Sequence, residues 1–207
     1  MATSTSIGNP NVATLLRFLA RVADTAPRGA YLEELKRVSS VLPEGASLWA
    51  RAEEDGALFE ESLLADWTRL FRGLSAGYGP RPPYQLVFRP AADEGKALLA
   101  IKKLYGSCGL AVSDQVGDRP DHLSLLLDCA AALATDESVT PDSNEGDRGA
   151  PLTFEAFALR YLNWVPSFCK EARPYAETEF YRWYFDLLEE VVGGLLAGAR
   201  EEVPAKS

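Results

Sequence analysis

Residues 58–74 read LFEESLLADWTRLFRGL, and this stretch decides the fold class. Its apolar side chains recur at steps of three and four residues, which places them on one face of an α-helix. The residues on that face are Phe59, Leu63, Leu64, Trp67, Leu70 and Phe71. Gly73 and Gly77 mark where such a helix ends. The stretch predicts a long helix whose broad apolar face packs into a core.

The same helical period extends along the chain. Apolar stripes of this kind occupy residues 12–22, 31–42, 95–108, 121–134, 154–168 and 180–195, with a shorter one around 48–49. Asn11 and Ser47 stand where two of these helices need an N-cap. We find no convincing strand alternation and no internal repeat. We therefore predict an all-α fold, a compact bundle of about seven to nine helices.

Two stretches break the period. Residues 77–90 contain Pro80, Pro82, Pro83 and Pro90. Because proline is excluded from helix interiors, we expect an ordered loop there. Residues 135–150 are acidic, contain Gly and Ser and lack any period, which indicates a linker. The expected organisation is a larger N-terminal part (1–134), this linker (135–150) and a smaller C-terminal part (151–207), and the parts could still pack as a single domain.

The composition limits the possible partners. The chain has 207 residues, of which 47% are hydrophobic and 10% aromatic, so a folded core is expected. Its 21 Lys and Arg against 30 Asp and Glu give a net charge of −9. Nucleic acids and anionic membrane surfaces are poor partners for such a surface, because binding them relies on basic side chains. A cationic peptide would instead be attracted.

Several features favour the cytoplasm as the compartment. Residues 1–10 lack the basic start and apolar stretch of a secretory signal. The apolar run at 191–199 is shorter than the about 20 residues that span a bilayer, so membrane insertion is not expected. The three cysteines (Cys108, Cys129 and Cys169) are odd in number and form no CxxC pair, so we expect no disulfide framework.

Catalytic machinery is scarce in this sequence. The chain contains a single histidine, His122, and no cysteine pair with zinc-type spacing. Phosphate-binding loops, dinucleotide fingerprints and nucleophile elbows are absent from the sequence. We predict that the protein is not an enzyme and has no catalytic residues, metal site or cofactor of its own. A hydrolase that uses His122 in a serine triad stays as a weaker alternative.

Asp121 and His122 allow a structural and a functional interpretation. Pro120 presets a helix start, Asp121 would cap it, and His122 would then be an exposed first-turn residue. The acidic residues at 53–55, 60–61 and 66 would ordinarily be a solvated face, although at the rim of a groove they could hold guanidinium groups. The aromatic residues Trp164, Tyr181 and Trp183 are expected in a wide core face, or else partly exposed at an interface.

Three sets of segments carry a family resemblance. The first is DWTRLF (66–71) followed by PPY (82–84), and the second is LYG (104–106) followed by RPDHL (119–123). The third is YLNWVPSF (161–168) followed by FY (180–181). In this order, and over about residues 58–192, they resemble the TorD/DmsD/NarJ family of molybdoenzyme maturation chaperones. The leucine run 125–127 is more similar to the NarJ branch, or to chaperones of periplasmic type II molybdoenzymes, and the loop at 84–88 departs from many relatives.

The resemblance implies a function. Such a protein binds the twin-arginine signal peptide or the N-terminus of the apo catalytic subunit of a molybdopterin oxidoreductase. It holds this client in the cytoplasm until the molybdenum cofactor is inserted, before assembly or export, and acts as a monomer or homodimer. The implied hinge lies near the Asp-His pair, and the implied client-binding residues are Trp67, Leu70, Phe71, Tyr84, Pro120, Asp121, His122 and Leu123. The alternative is an all-α small-ligand-binding or regulatory domain.

Overall fold

Helices dominate the part of the chain that the structure describes. The computed structural model describes residues 10–52, 57–72, 78–108, 110, 119–135 and 152–202. Across these ranges lie ten α-helices: α1 (Pro10–Asp24), α2 (Gly29–Ser39), α3 (Gly45–Ala52), α4 (Ala57–Phe71), α5 (Gln85–Phe88), α6 (Glu94–Ser107), α7 (Leu123–Leu133), α8 (Phe154–Phe157), α9 (Val165–Ala172) and α10 (Glu179–Glu202). A π-helical turn (Ala158–Leu162) follows α8, and a 3₁₀ turn (Arg173–Tyr175) follows α9. The predicted all-α fold is confirmed.

The structure has more helices than predicted because two stretches differ from the prediction. The single stripe predicted at 154–168 divides into α8, the π-helical turn and α9, with Pro166 in the first turn of α9. The proline-rich stretch contains α5, which fits between Pro83 and Pro90 without including either. The predicted caps are also wrong. Asn11 lies within α1 and Ser47 within α3, where the Ser47 hydroxyl donates to the Glu44 carbonyl at 2.7 Å.

The helix α7 lies at the centre of the fold. It packs lengthwise against α1, and it also contacts the π-helical turn and α8. Eight of its 11 residues are buried, among them Leu123, Leu126, Leu127, Cys129, Ala130 and Leu133. A helix that is apolar around most of its circumference can be stable only inside a protein.

An aromatic cluster joins α4 to the C-terminal helices. The Phe71 ring lies within 6.4 Å of four aromatic rings, those of Phe168, Tyr181, Tyr184 and Phe185. Trp164, Tyr181 and Trp183 are all buried, so their placement in a wide core face is confirmed.

The two predicted parts of the chain also meet through hydrogen bonds. The Tyr184 hydroxyl donates to the Leu19 carbonyl at 3.0 Å, and the Trp183 indole donates to the Pro43 carbonyl at 2.9 Å. Residues 136–150 of the predicted linker lie outside the described residues, so the division into parts stays a prediction.

A buried carboxylate on α4 fixes the start of α10. Asp66 is fully buried and accepts hydrogen bonds from the backbone N–H groups of Glu177 and Thr178, at 3.0 and 2.7 Å. It also accepts one from the Thr178 hydroxyl at 2.7 Å and lies 3.3 Å from the Arg69 guanidinium. The prediction that Asp66 belongs to a solvated acidic face is therefore wrong. Glu60 and Glu61 are exposed, and the acidic residues 53–55 lie outside the described residues.

Candidate functional site

Two short segments of backbone meet at a corner of the molecule. The N–H of Gln85 donates to the Asp121 carbonyl, and the N–H of Leu123 donates to the Pro83 carbonyl, both at 2.9 Å. Tyr84 and His122 consequently face each other as an isolated antiparallel bridge. The structure thus brings together five of the predicted site residues, namely Tyr84, Pro120, Asp121, His122 and Leu123.

The carboxylate of Asp121 ties this corner together. It is fully buried and accepts from the backbone N–H of Leu86 at 2.9 Å, in the first turn of α5. The Arg119 guanidinium donates to both carboxylate oxygens, at 3.0 and 3.1 Å. Paired hydrogen bonds of this kind are strong and fix geometry. The predicted role of Asp121 as the cap of its own helix is therefore wrong, because its side chain is turned towards α5.

His122 takes the capping position at the start of α7. Its Nδ1 accepts from the backbone N–H of Ser124 at 3.3 Å and lies 2.7 Å from the Ser124 hydroxyl. The imidazole packs edge-on against the Tyr84 ring, with the ring centroids 5.2 Å apart. His122 is fully buried, so the prediction of an exposed first-turn histidine is wrong.

The His122–Ser124 contact does not constitute a catalytic pair. Ser124 is only 2% exposed and His122 is fully buried, which leaves no access for a substrate. The Asp121 carboxylate hydrogen-bonds to Arg119 and Leu86 and so does not orient the imidazole as the acid of a triad would. The serine-triad alternative is therefore not supported by this geometry.

Arg119 covers the corner from the solvent side. Its guanidinium pairs with Glu94 at 2.8 Å as well as with Asp121, and it lies 5.3 Å from the centre of the Tyr84 ring. The hydrogen bond to Asp121 raises the pKa of Arg119, so the guanidinium stays protonated. The Tyr105 hydroxyl donates to the Pro120 carbonyl from beneath. The half-buried side chains of Tyr84, Arg119 and Pro120 form the rim of the corner.

The other three predicted site residues lie on α4, apart from that corner. Leu70 and Phe71 are 0% and 1% exposed and belong to the core. Trp67 is half-buried, with the Arg72 guanidinium 4.6 Å from the centre of its ring. Only Trp67 of the three therefore reaches the surface.

An open cleft of about 640 Å³, which the apolar stripe of α4 does not predict, runs along the solvent side of that helix. It is lined by Arg28, Glu61, Leu64, Ala65, Thr68, Arg69 and Tyr78. Tyr78 is 78% exposed, which is unusual for a large aromatic side chain. The α4 residues of the lining recur at steps of one, three and four residues, and this is the signal that could have indicated a second face of the helix.

A family model described as nitrate reductase delta subunit matches residues 13–170 of the chain. The chain belongs to this family. Its members are maturation chaperones of molybdoenzymes and not catalytic subunits, so the predicted chaperone family and the absence of an enzymatic role are confirmed. No curated protein matches the chain.

The family match spans both surfaces described above. It includes the corner formed by residues 83–86 and 119–123, and all of the α4 part of the cleft. The partner that membership implies is the catalytic subunit of a molybdoenzyme. Among the described residues, no helix is both long and apolar enough to cross a bilayer.

Proposed function

We propose that this protein binds the signal peptide or N-terminal segment of an apo-molybdoenzyme catalytic subunit in the cytoplasm. It would hold that segment until the molybdenum cofactor is inserted, before assembly or twin-arginine export. The observation that carries the proposal is membership of the nitrate reductase delta subunit family over residues 13–170. The local geometry supports a specific place for the client.

The cleft on α4 is our proposed position for the apolar part of the client. Its volume of about 640 Å³ falls within the range of established ligand pockets. Leu64, Ala65 and Tyr78 supply apolar surface there, and Trp67 is half-buried on the same helix. Leu70 and Phe71 support α4 from the core side, so their predicted contribution to client binding becomes an indirect one.

Charge supports the same partner. The net charge of −9 favours encounter with a cationic segment. Glu60 and Glu61 are exposed on α4, and Glu61 lines the cleft. Such carboxylates can accept paired hydrogen bonds from guanidinium groups. Asp121 already accepts such a pair from Arg119, so we assign the guanidinium contact to the α4 glutamates.

The corner would contribute through its rim. Tyr84 and Pro120 are half-buried at the surface, whereas Asp121, His122 and Leu123 are buried beneath them. We propose that these three residues act by fixing the backbone that presents the rim.

Calorimetry with a synthetic client peptide tests the proposal. The peptide carries an arginine pair followed by an apolar stretch, the two features of a twin-arginine signal peptide. Tyr78→Ala should weaken its binding about tenfold, as expected for an exposed aromatic anchor. Val41→Ala is the matched control, because Val41 is 82% exposed but does not line the cleft.

The same titrations can reject the proposal. A peptide with two lysines in place of the arginine pair should bind more weakly, because lysine cannot donate the bidentate pair. If wild type and Tyr78→Ala bind the peptide equally well, the client does not bind in the cleft. Failure of every candidate peptide to bind, with an apolar ligand recovered from the purified protein, would favour a small-ligand-binding domain instead.

A further inference from the structure

Two of the three cysteines come together in space although their sequence spacing gives no sign of it. Cys108 follows the last residue of α6, and Cys129 lies within α7. The Cys129 thiol donates to the Cys108 sulfur across 3.3 Å, and both residues are reduced. A disulfide needs the two sulfur atoms at about 2.05 Å, so the pair must close by little more than an ångström.

The two thiols differ in their access to solvent. Cys108 is half-buried, whereas Cys129 is fully buried. The hydrogen bond to Cys108 and burial raise the pKa of the Cys129 thiol far above its usual range. Because the thiolate is the reactive form, the protonated Cys129 thiol does not react directly with an external reagent. Cys108 is therefore the first of the pair to meet a small oxidant.

We propose that Cys108 and Cys129 form a reversible intramolecular disulfide by exchange with a low-molecular-weight disulfide such as oxidised glutathione. The Cys108 thiolate attacks the external disulfide, whose S–S bond breaks and releases one reduced thiol. Cys129 then loses its proton to the medium and attacks the Cys108 sulfur, which releases the second thiol. The protein dithiol is oxidised by two electrons and the external disulfide is reduced by two.

The position of the pair gives this bond a structural consequence. Tyr105, one turn before Cys108, already holds the Pro120 carbonyl through its hydroxyl. A disulfide would add a covalent tie between the end of α6 and α7, on either side of the corner segment 119–123. Disulfide formation involves only the two thiols, so its test is independent of client binding.

Thiol mapping on the folded full-length chain tests the inference. The reduced protein is incubated with oxidised glutathione at neutral pH, quenched with acid, unfolded and alkylated. We expect most chains to lose two alkylation sites and two hydrogens, about 2 Da. Peptide mapping should then show Cys108 linked to Cys129, and reductant should restore both thiols. Cys169→Ala is the matched control and should behave as wild type, because Cys169 is buried on α9.

Variants of the pair separate the two steps. Cys129→Ala should stop at one glutathione attached to Cys108, and Cys108→Ala should leave Cys129 reduced. If Cys129→Ala does not fold, the wild-type map and Cys108→Ala still decide the question. The inference is overturned if folded wild type keeps three alkylatable thiols, stops at the glutathione adduct, or links either cysteine to Cys169 or to a second chain.

Discussion

Asp66 and Asp121 are both buried carboxylates that pair with an arginine, yet they hold together different parts of the molecule. Asp66 lies on α4 and accepts three hydrogen bonds at the start of α10, from residues more than 100 positions away. Asp121 accepts one backbone hydrogen bond, from α5, and two from its own neighbour Arg119. The first carboxylate joins distant parts of the core, and the second shapes a corner near the surface.

The helices that the two carboxylates hold explain the difference. A negative charge is stabilised by the N-terminal end of a helix. At Asp66 that helix is α10, with 24 residues, whereas α5 has four residues and contributes little of this effect. Asp121 depends instead on Arg119, whose side chain is 38% exposed against 22% for Arg69. Asp66 should therefore matter to the whole fold, and Asp121 mainly to the corner.

The largest expected effect comes from Asp66→Ala. This change leaves the N–H groups of Glu177 and Thr178 and the Thr178 hydroxyl without their acceptor inside the protein. It also removes one of the carboxylates that pair with Arg69, which keeps its contact with Glu177 at 2.7 Å. We expect the free energy of unfolding to fall by about 3–5 kcal/mol, the range for breaking one side of a buried charged network. Urea denaturation followed by far-UV circular dichroism measures it.

Asp66→Asn sharpens this prediction. The amide keeps one acceptor oxygen but points an NH₂ group at backbone donors. The free energy of unfolding should therefore fall less in Asp66→Asn than in Asp66→Ala, but still by more than about 1 kcal/mol. A loss below about 1 kcal/mol for Asp66→Ala would contradict the assignment of Asp66 as a support of the whole fold.

Asp121→Ala should have a smaller and more local effect. We expect a loss of about 2–3 kcal/mol, because the Leu86 N–H loses its acceptor and the Arg119 guanidinium loses one of its carboxylate partners while it keeps Glu94. Helicity should stay near that of wild type, since the helix directly affected, α5, has four residues. Native-state hydrogen exchange should show faster exchange at Gln85 and Leu86 but not within α10.

Asp121→Asn is the matched control. It keeps an acceptor for the Leu86 N–H but removes the negative charge that pairs with Arg119. Accelerated exchange throughout α10 in Asp121→Ala would break the comparison, because the corner would then support the core as Asp66 does. Adding His122→Ala should cost about 1 kcal/mol more through the lost helix cap. A weaker client affinity in that double variant therefore has to be compared with its lower stability.

The helical stripes and the family could be read from the sequence because both signals are local or ordered along the chain. Each stripe needs only a period of 3.6 residues, and the buried places of Leu63 and Leu70 on α4 follow from it. The role of Asp66 was misjudged because its partners, Glu177 and Thr178, are distant in sequence. At Asp121, the local pattern of Pro-Asp before a helix predicts a cap, and only the folded chain shows that Leu86 competes for that carboxylate.

The cysteine pair and the π-helical turn were missed for similar reasons. Cys108 and Cys129 lie at no recognised spacing, and their contact depends on how α6 ends against α7. A π-helical turn adds a residue within a helical stretch while the apolar stripe continues, so periodicity alone does not detect it. Long-range partners and local departures from regular helix thus account for the remaining errors.

A third carboxylate, Asp128 on α7, provides the contrast with the smallest expected effect. Partial burial and the nearby Asp24 raise the pKa of Asp128 from its usual 3.8 to about 6, against the opposing effect of Arg17. A raised pKa means that the folded state holds this proton more tightly than the unfolded state does. The stabilisation from the proton is complete below about pH 4 and is lost as the pH rises through about 6.

Asp128→Asn should therefore stabilise the protein at pH 8, by less than about 1 kcal/mol because solvent screens the partly exposed side chain. At pH 4 the same variant should match wild type in urea denaturation. Equal stabilisation at pH 4 and pH 8 would show that packing, and not charge, causes the effect. The contrast between Asp128 and the arginine-paired carboxylates Asp66 and Asp121 would then be wrong.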